Sequence, residues 1–428
     1  MQAVASRGFC DSSHTGRLSP LDGSSPSCKT DPVSDMKQQL LNDLTSLIEN
    51  FVPENASTVR PGEENLHLDS LVLFGSGAQG RKTLAGLRKR GIAPLAFVDN
   101  NPKLWGTRTD GLDILSPEIA AGRYPKAVFI VTIWSDRIGH PLKQIRSQLS
   151  EKGISAVHSF TVLSRRFPET FLPDFFMDRP EKLVNSIQAI KKAAELWEDQ
   201  YSLEEYLQQL KMRMTIDLEA VTRATNYRAY FPDDLFTLSD DDEVFVDCGA
   251  FDGDTLKDFL KEVDGRFQKF IAVEPDKRNH QKLQDLVERD YPQHSARIEP
   301  LNLAVGERRE ILRFSDFAGT ESRIDDSGKT EVQCIPLDEL LANDTPTYIK
   351  MDIEGSERAA LIGGRATIAR SRPVLAVSAY HKAPDLWELP LLIREMVADY
   401  SFYLRPEKRA GWDLICYAVP QERARQHQ

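Results

Sequence analysis

The stretch VFVDCGAFDGDT (244–255) runs from apolar residues into Asp247. Gly249 and Gly253 follow in a turn that leads into a helix. The D-x-G-x-x-x-G spacing differs from the G-x-G-x-x-G of a dinucleotide site; its wider turn can wrap the amino-acid part of a ligand. Asp247 can reach a methionine ammonium, directly or through water, and the Gly249 backbone can pass close to a sulfonium. Twenty-seven residues later, AVEP places Glu274 at the tip of the next strand. An acid there can accept both hydroxyls of a ribose. Two acids at the carboxyl ends of adjacent strands match a cationic, ribose-bearing ligand, S-adenosylmethionine.

Methyl transfer from such a ligand is an in-line displacement. The protein must hold an acceptor oxygen at attack distance and remove its proton. Asp352, Glu354 and Glu357 follow the fourth strand of this region in KMDIEGSE, and His381 follows the fifth in AYHKAPDLWELP. An imidazole with its ordinary pKa of ~6.5 suits a general base better than a carboxylate does, although a lone histidine is more often structural. The set Asp352, Glu354 and His381 also admits Mg²⁺, which would polarise a sugar diol. Magnesium prefers oxygen ligands only, so the metal stays open. Lys350 and Lys382 read as solvated strand-edge residues. Tyr380 and Trp387 read equally as sugar-stacking rings or as core. Cys248 reads as a small buried hydrophobe.

A second glycine motif lies upstream. Gly75-Ser76-Gly77-Ala78-Gln79-Gly80 follows an apolar strand and opens a helix, and Asp99 ends the next strand 19 residues after Gly80. In a dinucleotide or nucleotide-sugar site these glycines admit a pyrophosphate and the acid binds a ribose. The competing reading gives the glycines to tight helix–strand packing. Nothing after Asp99 looks like a hydride-transfer site, so an NAD-dependent oxidoreductase ranks low.

These motifs need elements to carry them. Residues 1–35, rich in Ser, Asp, Gly and Pro, read as a disordered tail. Leu40, Leu41, Leu44, Leu47 and Ile48 recur at helical spacing between Met36 and Phe51, and a loop runs on to 65. Residues 66–165 alternate as strands (71–80, 94–101, 126–134, 155–160) and helices, which implies a small Rossmann-like unit. Residues 166–229 form a helical connector, with Leu183, Ile187, Ile190, Ala194, Trp197, Tyr201, Leu207 and Leu210 as an approximate core-facing stripe. From 230 to 428 a second α/β pattern places strands at 243–249, 269–274, 297–305, 347–353, 373–379, 400–406 and 414–420. The last two are joined by EKRAGWD, too short for a helical crossover, so they should pair as an antiparallel hairpin.

Composition bounds the function. A chain of 428 residues exceeds one compact core. A net charge of −11, from 65 acidic and 54 basic residues, argues against a nucleic-acid binder. No uncharged apolar run approaches the ~20 residues of a membrane span. Five scattered cysteines (10, 28, 248, 334, 416) suggest neither a disulfide framework nor a zinc knuckle. The first residues show no signal-peptide pattern. A soluble cytoplasmic enzyme is the expectation; oligomeric state is not legible.

Several further stretches resemble one family in order and spacing: YFPDDLFTLSDDDEVFVDCGAFDGDT, AVEPDKRN, LNLAVG, YIKMDIEGSE, PVLAVSAYHKAPDLWELPLLI and YLRPEKRAGWDLICYAVP. They look like the FkbM family of class I methyltransferases over about 230–420. The resemblance implies that residues 230–428 form the seven-stranded methyltransferase sheet; with the upstream unit and the closing antiparallel hairpin read from the pattern, the expected fold is α/β with two Rossmann-like units. It implies S-adenosylmethionine-dependent O-methylation of a sugar, glycan or polyketide-type acceptor, with a nucleotide sugar among the candidates. By the same resemblance Asp247, Gly249, Ala250, Gly253 and Thr255 would cradle the methionine and Glu274 the ribose. Asn302 and Ala304 would line the adenine edge. Phe251-Asp252-Gly253 departs from the Asn-Ile-Gly of many members. A non-catalytic nucleotide-sugar-binding protein is the alternative from a different class.

Overall fold

The computed structural model describes residues 37–39, 41–43, 45–46, 66–134, 141–218, 229–239, 241–314, 330–407 and 413–425. The expected tail lies outside these residues, as do half of the Met36–Phe51 helix and the loop to 65; the described positions from 37 to 46 are helical.

The first sheet contains six strands: β1 (Leu71–Phe74), β2 (Ala96–Val98), β3 (Arg108–Thr109), β4 (Leu112–Leu115), β5 (Val128–Val131) and β6 (Val157–Ser159). Their order is β3-β4-β2-β1-β5-β6, parallel except for the short β3–β4 hairpin. That hairpin does not appear in the sequence pattern, because Arg108–Thr109 is only two polar residues long. β1 and β5 are buried at every position, so their continuous apolar runs belong at the centre, covered on both faces.

After the short helices Thr161–Arg166 and Pro168–Phe171 that follow the first sheet come three more, Pro180–Asn185, Ile187–Ala194 and Gln200–Thr215. Leu183, Ile190, Ala194, Trp197 and Leu210 are buried in a core cluster that also holds Leu73 of the first sheet and Val246 and Ile349 further on. Asp199 caps the last of these helices by accepting from Ser202 N at 2.8 Å. Its carboxylate also receives the Arg405 guanidinium at 2.5 Å, tying this helix to the end of the chain.

The second large sheet has seven strands: β7 (Val244–Cys248), β8 (Lys269–Val273), β9 (Ile298–Leu301), β13 (Tyr348–Met351), β14 (Val374–Ser378), β15 (Tyr400–Pro406) and β16 (Leu414–Pro420). They lie in the order β15-β16-β14-β13-β7-β8-β9. All pairs are parallel except β14–β16 and β15–β16, the closing hairpin. β16 inserts between β14 and β15, so the chain's last strand is interior and is buried throughout.

The single strand expected at 297–305 is two strands. β9 joins the large sheet, whereas β10 (Ala304–Val305) joins a three-stranded sheet with β12 (Thr330–Ile335) and β11 (Glu310–Phe314). Asn302 makes the break: its Nδ2 donates to the carbonyls of Glu274 and Pro275 at 2.9 and 3.0 Å, turning the chain out of the sheet.

Candidate active site

The carboxyl ends of β7, β8, β13 and β14 meet on one edge of the large sheet, where ligands bind in folds of this kind. β7 delivers Asp247 and then a glycine turn. Gly249 has φ +86, and a Cβ there would lie 2.0 Å from the Asp352 carbonyl oxygen. Gly253, with φ +89, leaves no room either, since Leu286 Cδ2 would be 2.5 Å from its Cβ. Both glycines are therefore required: backbone packs against backbone and side chain in a left-handed conformation.

Asp247 is fully buried and faces Lys350, its register partner on β13; Nζ stands 2.8 Å from Oδ1. Lys350 also donates to the Gly249 carbonyl at 2.7 Å and lies 5.1 Å from the centre of the Tyr230 ring. The solvated strand edge expected for Lys350 is thus wrong, because β13 is covered on both faces and a lysine there must be paired. Lys382, by contrast, is exposed and donates to the Gly355 carbonyl. Burial pushes the Asp247 carboxyl up and Lys350 pulls it back. Burial lowers the Lys350 ammonium, but Asp247 and Asp352 outweigh it and raise the pKa. The ammonium is therefore held, with Asp247 as its partner.

Glu274 ends β8, and its two oxygens accept from Phe251 N and Asp276 N, both at 2.8 Å. Burial raises its pKa to about 7, against the pull of those two N–H groups. Thr255 stands buried in the first turn of the helix Asp254–Glu262, and Ala250 N donates to the Val273 carbonyl at 3.0 Å. Ala304 is buried on β10. Cys248 is buried and its thiol is pushed up by burial, as befits an inert core residue.

These residues suit the cationic nucleoside expected from the sequence. Asp247 Oδ2 is buried without a hydrogen-bond partner, beside the turn. Each Glu274 oxygen accepts one backbone N–H, and a carboxylate has lone pairs for more. Since Asp247 is wholly enclosed, it acts on the turn from behind.

Asp352, Glu354 and His381 come together. His381 is buried, with Nδ1 2.8 Å from Glu357 Oε1 and Nε2 3.4 Å from Asp352 Oδ1 and 3.9 Å from Glu354 Oε2. Burial lowers the imidazole pKa, but Glu357, Asp352 and Glu354 together raise it to about 10. The ordinary value assumed for a histidine base therefore does not hold, and the ring carries a proton at neutral pH. Burial raises the Asp352 carboxyl, but His381, Lys350 and Tyr230 more than offset this and hold it below the usual range. Glu354 has φ +54, a costly backbone state for a non-glycine residue.

Two residues join this cluster that the sequence did not single out for it. Tyr230 donates its hydroxyl to Asp352 Oδ2 at 3.0 Å, and Tyr380 donates to Oδ1 at 3.3 Å. Tyr230 has φ +66; its N–H donates to the Tyr417 hydroxyl at 2.9 Å, and its carbonyl accepts from the Tyr348 hydroxyl. Tyr230 lies 122 residues from Asp352 and carries no signal in the sequence, whereas Tyr380 is the neighbour of His381. Trp387 is buried in the core, and so is Tyr380, whose hydroxyl nonetheless reaches the site.

In the first sheet, Ser76 spends its N–H and hydroxyl on Asp99 Oδ2, at 3.1 and 2.8 Å. Asp99 Oδ1 accepts from Asn101 N at 2.9 Å. A Cβ on Gly80 would lie 2.0 Å from the Gly75 carbonyl, and one on Gly75 would lie 2.7 Å from Ile133 Cγ1. Gly77 meets nothing within 4 Å. Packing accounts for two of the three glycines, and the acid braces its own turn.

The family model described as "Methyltransferase FkbM domain" matches residues 247–404. The methyltransferase FkbM of Methylobacillus flagellatus KT is similar over 90% of this chain and 99% of its own, at 26% identity and a TM-score of 0.70. An Aeropyrum pernix fibrillarin in complex with natively bound S-adenosyl-L-methionine is 10% identical over 42% of this chain and 67% of its own, with a TM-score of 0.25. A UDP-D-quinovosamine 4-dehydrogenase from Vibrio fischeri is 20% identical over 21% of this chain and 75% of its own, with a TM-score of 0.17. A search of curated proteins returned no significant match. No helix among the described residues is long and apolar enough to cross a membrane.

Proposed function

The chain carries a methyltransferase FkbM domain over residues 247–404 and is an S-adenosylmethionine-dependent methyltransferase; from that premise we propose that it methylates a hydroxyl of a sugar, glycan or related natural product. The observation that carries this reading is the contact between the glycine turn and the acids. The Asp352 backbone closes directly on Gly249, so the proton-handling groups adjoin the turn assigned to the methionine. An uncharged hydroxyl acceptor needs such groups, because its proton must leave as the new bond forms.

Bound S-adenosylmethionine supplies the activated methyl group. Gly249, Ala250, Gly253 and Thr255 hold its methionine end in this reading, with Asp247 supporting the turn from behind, and Glu274 takes the ribose hydroxyls. Ala304 lies at the adenine edge. Asn302 has its Nδ2 committed to the Glu274 loop, so its contribution to that edge is through Oδ1. Asp352 and Glu354 accept the acceptor's proton; His381, already protonated, orients them. The catalytic unit is 230–428, with 166–229 as connector and 66–165 as a separate Rossmann-like unit. Free, buried Cys248, Cys334 and Cys416 support a reducing, cytoplasmic setting.

The test offers methyl-labelled cofactor with methyl glycosides, nucleotide sugars and polyketide polyols. Label should appear in a base-stable ether, and Asp352→Asn should slow its formation about 100-fold or more. Transfer to amines or thiols alone would sink the proposal.

A further inference from the structure

We propose that His381, Asp352 and Glu354 form a binding site for a first-row divalent metal ion such as manganese or zinc, and that Glu357 orients the imidazole. This goes beyond the methyl-transfer reading and does not depend on which acceptor is used.

The first observation is convergence. Ligand-capable atoms of Asp352, Glu357 and His381 all lie within 4.8 Å of one another, and Glu354 enters beside them through its Oε2, 3.9 Å from His381 Nε2. The two faces of the imidazole are unequal. Nδ1 is committed to Glu357 Oε1 at 2.8 Å, and that oxygen also accepts from Ile353 N at 2.9 Å. Nε2 points the other way, towards Asp352 Oδ1 at 3.4 Å and Glu354 Oε2 at 3.9 Å. Glu357 therefore stands in the orienting position of a carboxylate–histidine–metal arrangement, in which one ring nitrogen is fixed and the other is presented.

The second observation is independent of the acids. His381 Nε2 is buried and has no hydrogen-bond partner, although its residue is only 6% exposed. A buried ring nitrogen that faces two carboxylates at ion-pair distance, with no hydrogen bond to either, is placed to exchange its proton for a metal ion. Metal–ligand bonds of about 2.0–2.2 Å place neighbouring ligand atoms about 3 Å apart, close to these separations. Binding would take the Nε2 lone pair and release its proton, and the ion would then replace the imidazolium as the positive charge that holds Asp352 and Glu354.

The surroundings suit the assignment. Asp352 is braced by Tyr230 and Tyr380 from behind, as ligating carboxylates commonly are. The Asp352 and Glu354 side chains are 27% and 35% exposed, which leaves a route in and open coordination positions for an acceptor oxygen. One nitrogen with two carboxylates favours manganese or zinc over the magnesium that oxygen-only sites prefer.

The test uses metal-stripped full-length protein titrated with Mn²⁺ alone, with the bound ion examined by pulsed electron paramagnetic resonance. One site binding more tightly than about 1 mM and showing coupling to a histidine nitrogen is expected. Folded His381→Ala should bind at least ~10-fold more weakly, and Glu357→Gln ~10- to 100-fold more weakly. Binding weaker than about 1 mM, or bound Mn²⁺ without nitrogen coupling, overturns the proposal. The spectrum needs only the unmutated chain, so a variant that fails to fold leaves the result decisive. Failure to find a sugar acceptor would bear on the methylation reading and leave this one untouched.

Discussion

Lys350 and Asp247 are register partners on neighbouring central strands, and their ammonium and carboxylate meet at 2.8 Å with both side chains closed to solvent. The same ammonium holds the Gly249 carbonyl, so one buried cation fixes both the acid and the turn that follows it. Lys350→Met leaves the Asp247 carboxylate without its counter-charge, a loss of about 3–5 kcal/mol. Adding Asp247→Asn removes that charge and should recover much of the stability, but not cofactor affinity, because the turn carbonyl is still unheld. Urea unfolding and calorimetric titration with S-adenosylhomocysteine separate the two effects. Recovery of both in the double variant would reduce the pair to scaffolding.

Glu274 links cofactor binding to pH. Its folded pKa of about 7 lies above the ordinary 4.5, so the folded state holds an extra proton between these values. This group's contribution to stability is fully present below pH 4.5 and is lost as pH rises through about 7. Ribose hydroxyls donate best to the ionised carboxylate, so cofactor affinity should rise with pH and level off above about 7. Glu274→Gln should flatten that profile and weaken binding about 10- to 100-fold, the value of hydrogen bonds to a charged group. Calorimetric titrations across this pH range provide the check.

The glycines of the first sheet can be sorted by substitution. Gly80→Ala drives a Cβ to 2.0 Å from the Gly75 carbonyl and should unfold or badly distort this turn. Gly77→Ala meets open space at a helix N-cap and should cost less than about 1 kcal/mol. Thermal unfolding distinguishes them. Equal losses would contradict the packing reading of this motif.

Tyr230 offers a mild probe of the acids. Tyr230→Phe keeps the ring beside Lys350 and deletes only the hydroxyl that donates to Asp352. Stability should fall by about 1 kcal/mol, the usual worth of one hydrogen bond. Affinity for S-adenosylhomocysteine should stay unchanged, while a crystal structure of the variant should show Asp352 turned from its present position. An unmoved Asp352 would remove Tyr230 from the site.

The sequence alone determined the parallel α/β character of both sheets, the closing hairpin, and the acids and glycines at the strand ends. Those features follow from local rules: apolar runs, short connections and glycines at left-handed turns. It also placed Asp352, Glu354 and His381 at the ends of two strands that became neighbours. Tertiary structure decided how each group is charged. Lys350 reads as solvated in the sequence but lies on β13, which is covered on both faces, and His381 reads as a base but is surrounded by three carboxylates. It decided too that 297–305 divides between two sheets, and that Tyr230 reaches Asp352 across 122 residues. Burial and neighbouring charge depend on what folds over a residue from elsewhere in the chain, and no local pattern encodes that.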